Sequence, residues 1–367
     1  MGLPFAFWIN PVPAGAASTT FDFSVDTTKT DGGSSSTTQF RIPFYQFGAV
    51  PNCVVDWGDG NSDTITTHNQ AEAIHTYATS GIYNIEIDGV IGSWRFDGST
   101  DEKKLLSISN WGSFNFDKNR AFYNCSNLTT ISATDIPTIS TGSLQQTFQS
   151  CTKLTNFNVD GWDVSGVNNT KQMFISCGLL TTVNCDNWNV GLVTTTEEMF
   201  KNCSDLITLD LSNWNVTSII NMRNTFYRNY DLTSIGDVTS WDINDNVDFR
   251  GTFEDCRILA DLDVTAWDIG SVTRVDRMFY NADAFDNSLA NWDIDQITIY
   301  NSFMQNATGL STANYDATLI SWAAQTPTSG VTPNFGGSQY TLGGAGETAR
   351  DVLINTYGWT ITDGGGI

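Results

Sequence analysis

A phenylalanine stands at positions 122, 148, 174, 200, 226, 253 and 279, with Met304 in the next place, so the steps are 26, 26, 26, 26, 27, 26 and 25 residues. Six positions after each anchor comes Leu128, Leu154, Leu180, Leu206, Leu232, Leu259, Phe285 or Leu310. Twelve positions before the last six anchors come Trp162, Trp188, Trp214, Trp241, Trp267 and Trp292. Three apolar columns in register mark a repeat array. A unit this short cannot bury its own apolar face, so each must stack on its neighbours. This requirement organises the reading of the whole chain. Within a unit such as CSDLITLDLSNWNVTSIINMRNTF, the first half reads as a strand and the second as a helical turn.

The formal charge of -23 over 367 residues comes mostly from Asp spread along the chain. Nucleic acid and anionic membrane are therefore poor partners. Turn chemistry and solubility account for so many Asp; cation binding, calcium foremost, is the alternative. Of seven cysteines, Cys125, Cys151, Cys177, Cys203 and Cys256 each stand three places after an anchor, where other units carry Asn229, Ala282 or Ala307. A column that accepts Cys, Asn or Ala is a small buried slot, and the thiols in it are expected to be free and inward. Cys185 shares the inward place of Val159 and Leu211. No paired CxxC is present and the histidines are His68 and His75 alone, which argues against zinc. No apolar run approaches the length of a membrane span, and MGLPFAFWINPVPAGAAS does not read as a secretion signal, because no basic residue precedes its short, proline-broken run.

Five segments follow: an apolar arm (1–19), a strand-rich module (20–92), a junction (93–110), the repeat array (111–310) and a C-terminal cap (311–367). In the module, short alternating runs such as Phe21, Phe23 and Val25 are separated by Gly, Ser, Asn and Asp, the pattern of a small β-sandwich. Its VVDWGDG (54–60) and HTYATSGIYNIEI (75–87) resemble the PKD domain, which implies an immunoglobulin-like sandwich. Trp57 is expected in its core, and His75 reads as structural. The array, with LDLSNWNVT and MFKNCSDL as its clearest unit, resembles the BspA-type leucine-rich repeats of bacterial surface proteins, which implies a solenoid. In the cap, YDATLISWAAQ reads as an amphipathic helix; a second helix is expected over 348–355 and a strand over 359–361, covering the last open rung. The start MGLPFAFW and the ending TARDVLINTYGWTITDGG resemble those of phage proteins. The expected fold class is thus mainly β with short helices.

The outward places after each leucine give one candidate binding face: Asn156, Asn158, Asp160; Thr182, Asn184, Asp186; Thr208, Asp210, Ser212; and Asp261, Asp263, Thr265. It is small, polar and acidic, without an aromatic stripe, and suits hydrogen bonding to hydroxyls; a plain solvated sheet is the competing reading. A second column, Asp163, Asn189, Asn215, Asp242, Asp268 and Asp293, follows the tryptophans and reads as Asx turns rather than a calcium site, which needs about six or more converging oxygens. No nucleophile, zincin or phosphate-loop motif is present, so no cofactor and no enzyme activity are expected.

Leu3, Phe5, Phe7, Trp8 and Ile9 crowd the arm with large apolar side chains that such a segment cannot bury by itself, which makes them candidate attachment residues. The expectation is a non-enzymatic phage virion surface protein, made in the host cytoplasm. It would be attached to other virion proteins through its N-terminal region and present the array to a host surface glycan or protein, with self-association a further possibility. A bacterial cell-surface adhesin and a polysaccharide-active enzyme are the rival readings.

Overall fold

A computed structural model describes residues 19–98, 100–243 and 247–367. The arm residues Leu3, Phe5, Phe7, Trp8 and Ile9 lie outside them. The described chain is mainly β, with two α-helices near its end.

The strands are β1 (Phe21–Asp26), β2 (Gln39–Arg41), β3 (Asn52–Asp56), β4 (Ser62–Ile65), β5 (Ile74–Thr76), β6 (Ile82–Val90) and β7 (Leu105–Asn110), then the short β8 (Asn115–Phe116), β9 (Thr130–Ile131), β10 (Thr138–Ile139), β11 (Asn156–Phe157) and β12 (Thr182–Val183). Strict alternation in β1 turns Phe21, Phe23 and Val25 inward, and in β3 it buries Cys53 and Val55. One sheet runs β4-β3-β6-β1-β7-β9, and a smaller antiparallel pair, β2 and β5, sets Phe40 against Phe23 at 5.9 Å. Trp57 is fully buried. The large sheet does not end with the strand-rich module. β1 also pairs with β7, and β7 pairs in parallel with β9 of the array, so the module's sheet continues into the first repeat.

In the array, each unit lies over the one before it. The anchor rings form a file: Phe122, Phe148, Phe174, Phe200, Phe226, Phe253 and Phe279 stack at 5.4–6.0 Å with interplanar angles of 5–12°. Burying each ring contributes about 1.5–3 kcal/mol. The tryptophans form a second file in which, from Trp188 to Trp292, each indole N–H donates to a carbonyl of the preceding unit, as Trp188 does to Val159 (3.1 Å) and Trp214 to Cys185 (2.9 Å). Buried indoles need such a partner, and the stack provides it once per rung. The file continues past the repeats through Trp322, which donates to Leu289, and Trp359, which donates to Thr328.

The second half of the unit is not helical. Around each anchor the chain forms turns in which the residues two before and two after it adopt positive φ: Gln146 (59°) and Ser150 (61°) about Phe148, Glu198 (56°) and Asn202 (59°) about Phe200. This alternation aligns every second peptide group along the stack. The N–H groups of Gln146, Phe148 and Ser150 donate to the carbonyls of Lys171, Met173 and Ile175 in the next unit. Gln172, Phe174 and Ser176 repeat the pattern to Glu197, Met199 and Lys201. A helix would close its hydrogen bonds within the segment; here they run between units, as buried amides require wherever a rung lies on a rung.

At the C-terminal end, α1 (Thr312–Ala323) buries Tyr315, Leu319 and Trp322, and α2 (Ala345–Tyr357) ends on Gly358 in the left-handed conformation (φ 68°). The segment after it is extended without forming the expected strand over 359–361. Thr360 and Thr362 donate to Val331 and Pro333, with isolated parallel bridges at Asn334 and Thr362 and at Tyr340 and Gly366. Among the described residues, no helix is long and apolar enough to cross a membrane.

Candidate binding surfaces

The residues singled out after each leucine share one exposed edge of the stack. Asn156 pairs with Thr182, Thr182 with Thr208, and Thr208 with Ser234; the Ser234 hydroxyl then donates to Asp261 at 2.7 Å. Asn158, Asn184 and Asp210, and Asp160, Asp186 and Ser212, stand at the next outward places along the same rungs, half-buried to exposed. Asp263 and Thr265 occupy the corresponding places beyond Asp261. A hollow of about 160 Å³ lies between two of these rungs, lined by Thr182, Asn184, Asp186, Thr208 and Asp210.

Several of the acceptors are already engaged with their own turns. Asp210 accepts from the backbone N–H (3.1 Å) and hydroxyl (2.6 Å) of Ser212, Asp263 does the same with Thr265, and Asn158 accepts from the N–H of Asp160. The column after the tryptophans behaves likewise: Asp163, Asn189, Asn215, Asp268 and Asp293 each accept from the backbone N–H two residues on. The partner position of Asp242 is outside the described residues. Hydrogen bonds from Ser165 hold the Asp163 carboxyl below the usual carboxylate range, and those from Thr239 do so for Asp237. Among the described residues, no group of three or more His, Cys, Asp or Glu side chains could hold a metal ion.

The cysteines are free and buried. The slot has a polar use that spacing alone does not convey. Cys151, Cys177, Cys203 and Cys256 donate their thiol hydrogens to the carbonyls of Phe122, Phe148, Phe174 and Phe226, the anchors of the preceding units, at 3.0–3.3 Å. Burial pushes these thiols up, Cys177 to about 12, so they stay protonated donors. In the module, His75 stacks on Trp57 (4.8 Å, 9°) and its Nε2 lies 2.9 Å from Asp59 Oδ2, which ties the WGDG turn to β5. Asp56 and Asp59 also accept from the N–H groups of Gly58 and Asn61 within that turn.

The opposite, turn-bearing edge was not legible as a site. It gathers Lys171, Arg223 and Arg250 three places before an anchor, Tyr227 and Tyr280 one place after, and Lys201, Arg228 and Arg277 nearby; the same places hold Glu197, Asp276 and Glu254 in other units, so no single chemistry fills a column. Lys201, Arg223, Asn224, Tyr227, Glu254 and Arg277 line a hollow of about 360 Å³ there. The recurrence of Arg and Tyr one to three residues from an anchor was the available signal.

No curated protein and no solved structure matches the chain. A family described as Mycoplasma protein of unknown function, DUF285, matches it twice, over 116–233 and 205–317. The two matches overlap and together run from 116 to 317, more than half of the 367 residues and every anchor from Phe122 to Met304. The chain belongs to the DUF285 family.

Proposed function

We propose that the protein is a non-enzymatic surface component of a phage virion. In this reading the array is a BspA-type leucine-rich-repeat solenoid that presents its edges for recognition or adhesion. The strand-rich module is a PKD-like, immunoglobulin-like sandwich, and with the arm residues Leu3, Phe5, Phe7, Trp8 and Ile9 it attaches the chain to other virion proteins. The observation that carries the reading is the rung-by-rung continuity of an exposed polar edge, Asn156 to Thr182 to Thr208 to Ser234, over a fully buried aromatic file. A rigid stack that repeats small hydrogen-bonding groups at one spacing suits an extended ligand such as a host surface glycan or protein. The carboxylates of this edge that cap their own turns serve shape rather than chemistry.

Antibody raised against the purified chain should label the outside of intact particles. A chain lacking residues 2–12 should fold yet be missing from particles. Labelling only after disruption, or full incorporation of the truncated chain, overturns the proposal. A bacterial cell-surface adhesin is the second reading, favoured by the description of the matching family as a Mycoplasma protein. Label on intact cells grown without phage would select it.

A further inference from the structure

We infer that the turn-bearing edge between Lys171 and Arg277 binds an anionic polysaccharide, through guanidinium and ammonium groups laid over tyrosine rings. The chain has 17 Lys and Arg against 40 Asp and Glu, so a cationic surface on it requires an arrangement, and the ion pairs of this edge supply one. In each of them the cation lies outside and the carboxylate beneath. Arg277 is 44% exposed over Glu254 at 6%, Arg228 is 49% over Asp255 at 9%, and Lys171 is 32% over Glu197 at 17%. The buried carboxylates hold the cations in place, and what faces solvent is positive.

Arg228 lies 4.9 Å from the Tyr227 ring centre and Arg277 3.9 Å from that of Tyr280, while the Lys201 ammonium is 5.3 Å from the Tyr227 ring. A guanidinium flat on an aromatic ring keeps its N–H edge outward and already oriented for a carboxylate or sulfate. The Arg223 side chain is exposed and, among the described residues, makes no hydrogen bond or ion pair, yet it opens onto the hollow shared by Lys201, Tyr227 and Arg277. These cations recur on successive rungs, which are spaced by about 4.8 Å where neighbouring chains are hydrogen-bonded. A polymer bearing an anion on each sugar meets a cation at rung after rung, and half-exposed tyrosines offer apolar faces to its rings. The strand edge has no such aromatics. An acidic peptide would use the charges without the tyrosines; a single-stranded nucleic acid would stack its bases on them, and comparison with DNA separates it from a glycan.

The inference extends the recognition part of the reading above. It is tested on the purified chain, so its failure leaves the particle labelling untouched. Binding to immobilised polygalacturonate (carboxylate), dextran sulfate (sulfate), neutral dextran, polyglutamate and single-stranded DNA should be compared at low and physiological salt. The expected result is binding to one or both anionic glycans, weakening with salt, with the stronger response naming the anion. Arg223→Glu should reduce it roughly tenfold or more, the equivalent of one lost charge-assisted contact, without altering the melting curve. Lys29→Glu, the same charge change at an exposed site in the module, should leave it unchanged. No binding to either anionic glycan overturns the inference. So does equal binding to neutral dextran, binding to polyglutamate or DNA as tight as to the glycans, or indifference to Arg223→Glu.

Discussion

Glu102 shows how a single residue sets a condition on the fold. It is fully buried just before β7; its Oε2 accepts from the backbone N–H (3.0 Å) and hydroxyl of Thr100, and its Oε1 has no partner among the described residues. Burial pushes its carboxyl above the ordinary value against the pull of those hydrogen bonds. A carboxyl raised in the folded state favours folding while protonated, and that contribution is lost as pH rises from the ordinary carboxylate range through the raised value. Glu102→Gln should therefore give a higher urea midpoint than the parent at pH 7, with the difference shrinking toward about pH 4, where the parent carboxyl is itself protonated. An equal difference at both pH values would mean that the side chain acts through packing alone. Lys104, two residues on, shows the same burial resolved by partners: its ammonium donates to Ser35, Ser36 and Gln39 and lies 3.3 Å from Asp101. Breaking such a pair on one side leaves a charge uncompensated.

At the scale of the element, the turn ladder depends on residues held at positive φ, and most of them are not glycine. Ser176 (φ 62°) has no side-chain hydrogen bond among the described residues, so it isolates the backbone term. The left-handed conformation costs an L-residue about 1–2 kcal/mol, and glycine removes that cost while losing about 0.5–1 kcal/mol through its freer unfolded chain. Ser176→Gly should stabilise by about 0.5 kcal/mol and Ser176→Val destabilise by about 1–2 kcal/mol, read as shifts in urea midpoint. If valine is tolerated there, the ladder is not built on left-handed residues. This is also why the ladder escaped the sequence. The phenylalanine, leucine, tryptophan and cysteine columns were legible because one chemistry recurs at one spacing. Two places before the anchors, Arg120, Gln146, Gln172, Glu198 and Arg277 are residues that no turn rule selects, whereas Asn124, Asn202, Asp255, Asn281 and Asn306 two places after the anchors are of the types that tolerate this conformation. The helical reading of the same segments followed their local propensity, which the hydrogen bonds between units override. The strand edge was located from its spacing, whereas the cationic edge depends on which member of each ion pair lies on top, and that is a property of packing.

For the whole molecule, the consequential feature is that the module and the array are joined through shared structure. β1 has β6 on one side and β7 on the other, with Phe23 opposite Ile108 and the Ser24 and Ser107 hydroxyls 2.6 Å apart. Phe21 packs on Phe114 at 4.6 Å and on Trp111 at 6.1 Å, and Trp94 lies 6.3 Å from Phe122, so one aromatic core crosses from the first sheet into the first anchor. A module cut at the boundary that its sequence pattern proposes, 20–92, would lose a neighbour of its central strand and expose these rings. That piece should show no cooperative thermal transition by circular dichroism. The full chain should unfold in one main transition, with Trp57 in the module and Trp214 in the array losing their buried environments together, because an interface that is large and apolar couples what it joins. A stack fixed in this way to its base transmits force and orientation without a hinge. Two well-separated transitions, or a sharp transition in the isolated piece, would show that the junction is a linker and that the stack moves freely on its base.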